Sequence, residues 1–292
     1  MDAPTLYDLS KSKNIISFSG SDAGSFLQGQ TTCDVLSLND SDSLFGALCN
    51  PKGRVIALFH LFKRDEIYYM VLASDMASII TKRLKMFVFR SNVNIEDASN
   101  DYKIVGINES LQQEVATLLT PLAHIKYQSG SELGLVIIPE NKYTTVKVDS
   151  SIKVNSNATD WQILLINRCI PETTNHTSEL FIPQMLNLDL LEGISLQKGC
   201  YTGQEVVARM HYKGTVKRRL VSFESEQEHT SGENIHCVDD TNSVGTVLSA
   251  VNTKNGTSTG LLVLKTSYIQ AGEIQLGDKS KLTIQTPKYK LE

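Results

Sequence analysis

Lys198-Gly199-Cys200-Tyr201-Thr202-Gly203-Gln204-Glu205-Val206-Val207-Ala208-Arg209 is the stretch from which the fold and its chemistry are read. Thr202-x-x-Glu205 ahead of the apolar pair Val206 and Val207 has the form of a capping box. In it the threonine oxygen accepts from the Glu205 amide and the carboxylate reaches back. The pattern predicts a helix starting near Gly203, running towards Tyr212 and ending at Gly214. Cys200 then stands two residues before the cap, at the positive end of that helix, with Lys198 two residues upstream. Both features favour a thiolate over a thiol, which is what separates a reactive cysteine from a packing one. The plainer alternative is a Gly-rich turn whose cysteine fills a small apolar gap. His211 lies roughly three helical turns from Cys200, too far to act as its base.

Outward from this stretch, Lys198 to Arg219 holds six basic residues (Lys198, Arg209, Lys213, Lys217, Arg218, Arg219) against one acidic residue, Glu205, a local charge of 6 − 1 = +5. Such a segment suits phosphates or the carboxylates of an anionic cofactor, or else it is a solvated face. The whole chain of 292 residues carries −4, so nucleic-acid binding is not a property of its overall charge. Five cysteines (Cys33, Cys49, Cys169, Cys200, Cys237) are scattered without Cys-x-x-Cys spacing, which speaks against a disulfide framework, a zinc site or a self-contained cluster site. With 41% hydrophobic and 21% charged residues the composition is ordinary for a globular chain. No apolar run reaches the length of a membrane span, and Met1-Asp2-Ala3-Pro4 resembles neither a secretory nor a transit leader. The expectation is a soluble, cytoplasmic protein of several domains.

Periodicity gives a mixed α and β first half. Ile15–Phe18 reads as a strand, followed by a short helix capped by Ser21 or Asp22 and carrying Phe26 and Leu27. Val55–Phe62 and Ile67–Leu72 form a hairpin, and a helix then buries Met76, Ile79, Ile80, Leu84 and Phe87. Tyr102–Ile107 is a strand, and Leu111, Val115, Leu118 and Leu119 mark a helix face. Leu133–Ile138 and Tyr143–Val148 read as strands, Ser150–Thr159 as an exposed connection, and Asp160–Ile170 as a helix stopped by Pro171. Glu172–Gly199 is irregular, a length that tends to be functional. After Gly214, short apolar runs (Arg219–Phe223, Val244–Val251, Gly260–Leu264, Lys281–Gln285) alternate with turn residues, the pattern of a small all-β barrel or sandwich.

Lys198–Arg209, together with Phe181–Leu188 (FIPQMLNL), His211–Gly214 and Lys217-Arg218, resembles the signature of the YgfZ family of folate-binding proteins, related to the glycine-cleavage T-protein. Gly20–Ala23, Phe26–Thr31 and Cys49–Arg54 (CNPKGR) agree with it. The resemblance implies an α+β, three-domain T-protein-like ring around a central channel. Residues 1–45 with 120–214 would form a discontinuous α+β folate-binding domain, 46–119 a ferredoxin-like domain and 215–292 the barrel. It implies tetrahydrofolate or another folate as cofactor. It further implies a role in iron–sulfur cluster assembly or repair, and thereby in tRNA modification, with iron–sulfur enzymes or assembly proteins as partners; the charge of the basic segment separately offers a tRNA contact. Cys200, with Lys198, would carry the chemistry; Trp161, Tyr201, Gln204, Glu205 and Arg209 would hold the folate. T-proteins carry Asn-x-x-Gly-Gly-Ile-x-Asp-Asp, whose first aspartate serves aminomethyl transfer. Ala57 stands at that place here and cannot handle a proton, which argues against T-protein chemistry. The alternatives are a one-carbon transferase that uses another base, and a tRNA- or protein-binding module. A second folate-lining tryptophan of relatives corresponds to Lys13, and Cys169 stands where a glycine is usual.

Overall fold

The computed structural model describes residues 5–108, 121–127, 132–146, 153–238, 240–277 and 279–291. The chain gathers into two compact units, one of Met1–Gly46, Phe59–Trp161 and Gln197–Tyr201, the other of Ala47–Leu58, Gln162–Leu196 and Thr202–Glu292.

The first unit holds one five-stranded sheet and most of a second. One has the order β10-β1-β7-β9-β8, built from β1 (Thr5–Asp8), β7 (Tyr102–Asn108), β8 (Ala123–Lys126), β9 (Leu133–Pro139) and β10 (Lys153–Asn155). Its interior is apolar: Leu6, Val105, Ile107, Val136, Ile138 and Tyr143 pack together. The other has the order β3-β4-β5-β2-β6, from β2 (Lys13–Ser19), β3 (Ser43–Cys49), β4 (Val55–Arg64), β5 (Ile67–Ala73) and β6 (Asn94–Asp97). The first eight residues of β4, VIALFHLF, are all buried, which explains an unbroken apolar run instead of an alternating one. The hairpin turn is tighter than the sequence implies. The strands extend to Arg64 and Ile67, and Asp65 (φ 49°) and Glu66 (φ 64°) make a two-residue connection whose positive φ values match the strand twist.

Helix α1 (Ala23–Gln30) buries Ala23, Phe26 and Leu27. Asp22 precedes it without capping it; its carboxylate accepts instead from the Asn92 amide at 2.7 Å. Helix α2 (Ser74–Lys85) buries Met76, Ala77, Ile80 and Leu84, while Ile79 and Phe87 stay exposed, against expectation. Asp75 in its first turn and Lys82, Arg83 and Lys85 in its last complement the helix dipole. Two further segments differ from their sequence-based reading. Tyr143 lies in α3 (Glu140–Val146) and not in a strand, and the supposed connection at 150–159 contains β10 and the start of α4 (Ala158–Asn167). Strand β10 forms because β1 offers it a parallel partner 148 residues away (Thr5 opposite Lys153), information that local sequence does not carry. The helix expected around Leu111–Leu119 lies outside the described residues.

Strand pairing also crosses the expected domain boundaries: β2 pairs with β5 and β1 with β7, across 45/46, and β7 pairs with β9, across 119/120. The T-protein-like α/β architecture is present; its sheets are assembled from segments distant in sequence.

In the second unit a six-stranded antiparallel sheet has the order β12-β13-β14-β11-β16-β15. Its strands are β11 (Arg218–Ser225), β12 (Asn234–Cys237), β13 (Asp240–Asn252), β14 (Ser258–Lys265), β15 (Glu273–Gln275) and β16 (Lys281–Gln285). A bridge between Cys237 and Leu276, with the Val238 amide donating to the Gln275 carbonyl at 3.1 Å, joins the two edge strands and nearly closes the sheet into a barrel. Val221, Phe223, Val247 and Leu262 fill its interior. Cys169 beside it has φ 53°, a left-handed conformation that explains why glycine suits that position, and its thiol donates to the Leu220 carbonyl. No helix among the described residues is long and apolar enough to cross a membrane.

Candidate functional site

Lys198 is 8% exposed, and its ammonium donates to the carbonyls of Gln28 (2.7 Å), Thr31 (2.7 Å) and Cys33 (2.6 Å). These carbonyls belong to the end of α1 and the turn after it, where helical geometry leaves acceptors without donors and the dipole is negative. A lysine 165 to 170 residues away thus closes the helix. Its Nζ also lies 5.2 Å from the centroid of the Tyr201 ring, which is buried. Burial pushes the ammonium down to about 8, while the three carbonyl acceptors favour its charged form. The ammonium is therefore engaged by backbone oxygens. The thiol that it acts on electrostatically is Cys33, which burial pushes up to about 11 despite the lysine.

Among the five cysteines only Cys200 is exposed. Burial pushes Cys49 and Cys169 up to about 12, so neither ionises near neutrality. Cys200 is carried between Lys198 and Tyr201, both anchored within the first unit, and Gly199 before it faces open space.

The first unit also contains a row of five rings. Tyr7 and Trp161 lie 5.4 Å apart by centroid, Trp161 and Tyr127 6.1 Å, Tyr127 and His60 4.7 Å, and His60 and Phe45 4.9 Å. Trp161 packs on Gly106, where a Cβ would come within 2.6 Å of the indole; only glycine admits this contact. Trp161 is 2% exposed, so its ring is a packing element as well as a candidate folate contact. Two buried polar atoms in the row, Trp161 Nε1 and His60 Nδ1, have no hydrogen-bond partner among the described residues. The half-buried ends, Tyr7 and Phe45, leave the row accessible at its margins. Aromatic faces with hydrogen-bonding nitrogens are the donor set a flat heterocycle takes, but Trp161, Tyr127 and His60 are themselves buried, so only Tyr7 and Phe45 offer partly open ring surface. Sequence reasoning missed His60; the signal was a lone histidine inside the apolar run 55–62. Burial, with Lys13 adding to it, pushes its imidazole down to about 3. Lys13 itself is buried.

In the second unit, α5 (Gln204–Lys213) confirms the expected helix but not its cap. Gly203, not Thr202, is the N-cap, at φ 85° and without a side-chain cap bond. The helix begins one residue later than the capping box requires, which moves Thr202 and Glu205 out of register. A Cβ on Gly203 would lie 2.5 Å from the Asn50 carbonyl, and one on Gly53 2.7 Å from Val206. The two glycines thus let the TGQE turn pack directly on the CNPKGR turn, whose Asn50 side chain accepts from the amides of Lys52 and Arg54. Gln204 is half-buried, and Glu205 and Arg209 are exposed on the helix. Ala57 is buried in β4 and presents only a methyl group.

The basic segment is less exposed than its sequence implies. Lys198 is buried, and Arg219, 4% exposed, donates to Asp189 at 2.6 Å and to the Gln184 carbonyl at 3.0 Å. Arg209, Lys213 and Lys217 are exposed and Arg218 is half-buried. The FIPQMLNL stretch is structural here. Gln184 donates to the Val207 carbonyl, and Asn187, at φ 58°, bonds both the amide and the carbonyl of Leu220. No group of three or more His, Cys, Asp or Glu side chains among the described residues is arranged to hold a metal ion.

Two five-stranded sheets flanked by helices and a nearly closed barrel define the fold class of the T-proteins. The crystal structure of the glycine cleavage system aminomethyltransferase T from Bartonella henselae is similar at a TM-score of 0.71 and 14% identity, over 99% of this chain and 88% of that one. No family model matches the chain. Proteins called tRNA-modifying protein YgfZ are similar in sequence. The one from Colwellia psychrerythraea is 36% identical over 73% of this chain and 69% of its own length. The one from Photobacterium profundum is 33% identical over 91% and 85%. The chain belongs to the YgfZ family.

Proposed function

We propose that this protein is a cytoplasmic, folate-binding accessory factor for tRNA modification that supports iron–sulfur enzymes or their assembly, with Cys200 as its working thiol. The observation that carries this reading is the contrast among the cysteines: Cys200 is exposed within KGCYTGQE while the other four are buried. The names of the relatives supply the link to tRNA modification. Lys198 is the residue that fixes the backbone beside Cys200, and Trp161, Tyr201, Gln204, Glu205 and Arg209 are the proposed folate contacts. A bound reduced folate supplies one-carbon or reducing capacity. A tRNA contact falls to the exposed cations Arg209, Lys213 and Lys217 and weakens steeply with salt. Aminomethyl transfer of the T-protein kind is not favoured, because the Ala57 methyl can neither take a proton nor hold an amine.

Trp161 is the single tryptophan, so its fluorescence reports directly on the aromatic row. Titration with tetrahydrofolate is expected to quench it; an unchanged signal with no heat in calorimetry removes the folate claim. Cys200→Ser is expected to keep the wild-type melting temperature and to lose complementation of a strain lacking the protein. Full complementation would reduce Cys200 to a surface residue.

A further inference from the structure

Three of the stretches singled out in the sequence meet around one cavity of the second unit. CNPKGR supplies Arg54, FIPQMLNL supplies Phe181 and Met185, and Lys217-Arg218 supplies Arg218; Asn234 and Thr246 of the barrel help to close it. The cavity measures about 290 Å³, and no acidic side chain among the described residues lines it.

Its charged lining consists of two guanidiniums, Arg54 and Arg218, with the amide of Asn234 and the hydroxyl of Thr246 beside them. Arg54 bonds the Leu180 carbonyl through Nη1, and Arg218 bonds the Ser243 carbonyl through Nη2 at 3.3 Å. Each guanidinium carries five N–H groups, so most remain available to a ligand. The Thr246 hydroxyl donates to Asn234 Oδ1 at 2.9 Å, which engages the acceptor end of that amide and leaves its NH₂. Backbone bonds hold the lining in place: the Arg54 amide donates to Asn50 Oδ1 at 3.0 Å and the Val55 amide to the Phe181 carbonyl at 2.8 Å. Phe181 and Met185 add an apolar wall. Two planar guanidiniums without a competing carboxylate select an oxyanion, and the apolar wall selects what it is attached to.

We propose that this cavity is a binding site for an oxyanion, phosphate monoester or carboxylate, carried on a small aromatic body. Its volume is at the lower edge of ligand pockets, which fits a single ring and its acid group and excludes a dinucleotide. The site shares no residue with the proposed folate contacts, so failure of folate binding leaves it standing.

Phenyl phosphate and hippurate, titrated separately into the full-length protein and followed by calorimetry and ligand-observed NMR, test the idea and separate the two acid groups. Saturable binding of either supports the site, and the tighter of the two identifies the acid. Orthophosphate alone is expected to bind more weakly than phenyl phosphate. Arg54→Gln and Arg218→Gln are each expected to weaken binding by about tenfold or more, as loss of a charge-assisted contact does. Arg54 is exposed, so its variant keeps the fold even where Arg218→Gln does not. No binding of either probe up to about 10 mM, weaker than any specific fragment site requires, overturns the proposal. So does binding that survives Arg54→Gln unchanged.

Discussion

Replacing Lys198 with methionine keeps an unbranched side chain, one heavy atom shorter, and removes its charge and donors. Three backbone carbonyls, at 2.6–2.7 Å from the ammonium, then lose their partner inside the protein. Hydrogen bonds to a charged group are each worth about 1.5–3 kcal/mol net, so the loss amounts to roughly 5–9 kcal/mol. Against this stands the cost of burying the ammonium. Its fall from 10.5 to about 8 corresponds to about 3 kcal/mol at neutral pH, which methionine recovers. The expected net destabilisation is about 2–6 kcal/mol, or a fall of roughly 5–15 °C in the melting of the first unit. Scanning calorimetry reads this shift. Hydrogen exchange is expected to accelerate across residues 28–33. A Lys198→Met protein within about 1 kcal/mol of wild type, with unchanged exchange in that turn, would refute the idea that the lysine closes α1.

His60, held at about 3 by burial, gives the chain an acid-sensitive core. Its folded value is below the ordinary 6.5, so between these limits the unfolded chain takes up a proton that the fold refuses. The stability present above pH 6.5 is lost on acidification, by about 2 kcal/mol at pH 5. Unfolding free energies from urea titrations at pH 7 and pH 5 are expected to differ by that much more in wild type than in His60→Phe. Gly203→Ala and Gly199→Ala form a matched pair within one motif. Gly203 is left-handed, and a Cβ there would stand 2.5 Å from the Asn50 carbonyl, whereas nothing lies within 4 Å of one on Gly199. Denaturant unfolding is expected to show a loss of at least about 2 kcal/mol for the first and under about 0.5 kcal/mol for the second.

Local periodicity carried much of the architecture. Helix α5, the hairpin of β4 and β5 and four of the six barrel strands (β11, β13, β14 and β16) follow from apolar spacing and turn residues, which are local signals. What failed was non-local. Strand β10 is too polar to declare itself without β1, and Tyr143 joins a helix although its run of Tyr, Thr and Val favours a strand. At the candidate site, the cysteine was legible because helix start and glycines surround it. The capping box misled because a left-handed Gly203 displaces the helix start by one residue. The destination of Lys198 was hidden altogether: proximity in sequence pointed to Cys200, while the carbonyls that receive it lie at 28, 31 and 33. The charge of the basic segment was likewise overcounted, since a sequence does not reveal that Arg219 is committed to Asp189.

The closure of α1 by Lys198 also orders events on the ribosome. The Cys33 carbonyl emerges 165 residues before the ammonium that satisfies it. At elongation rates of about 5–20 residues per second, roughly 8–33 s separate the two. Throughout that interval the N-terminal helix is synthesised but unsealed, and the first unit lacks its last piece. The arrival of the segment bearing Cys200 is therefore the step that completes the N-terminal half of the molecule. A nascent chain stalled before residue 198 remains open to proteases and chaperones at the turn after α1, whereas one stalled well beyond residue 201 does not.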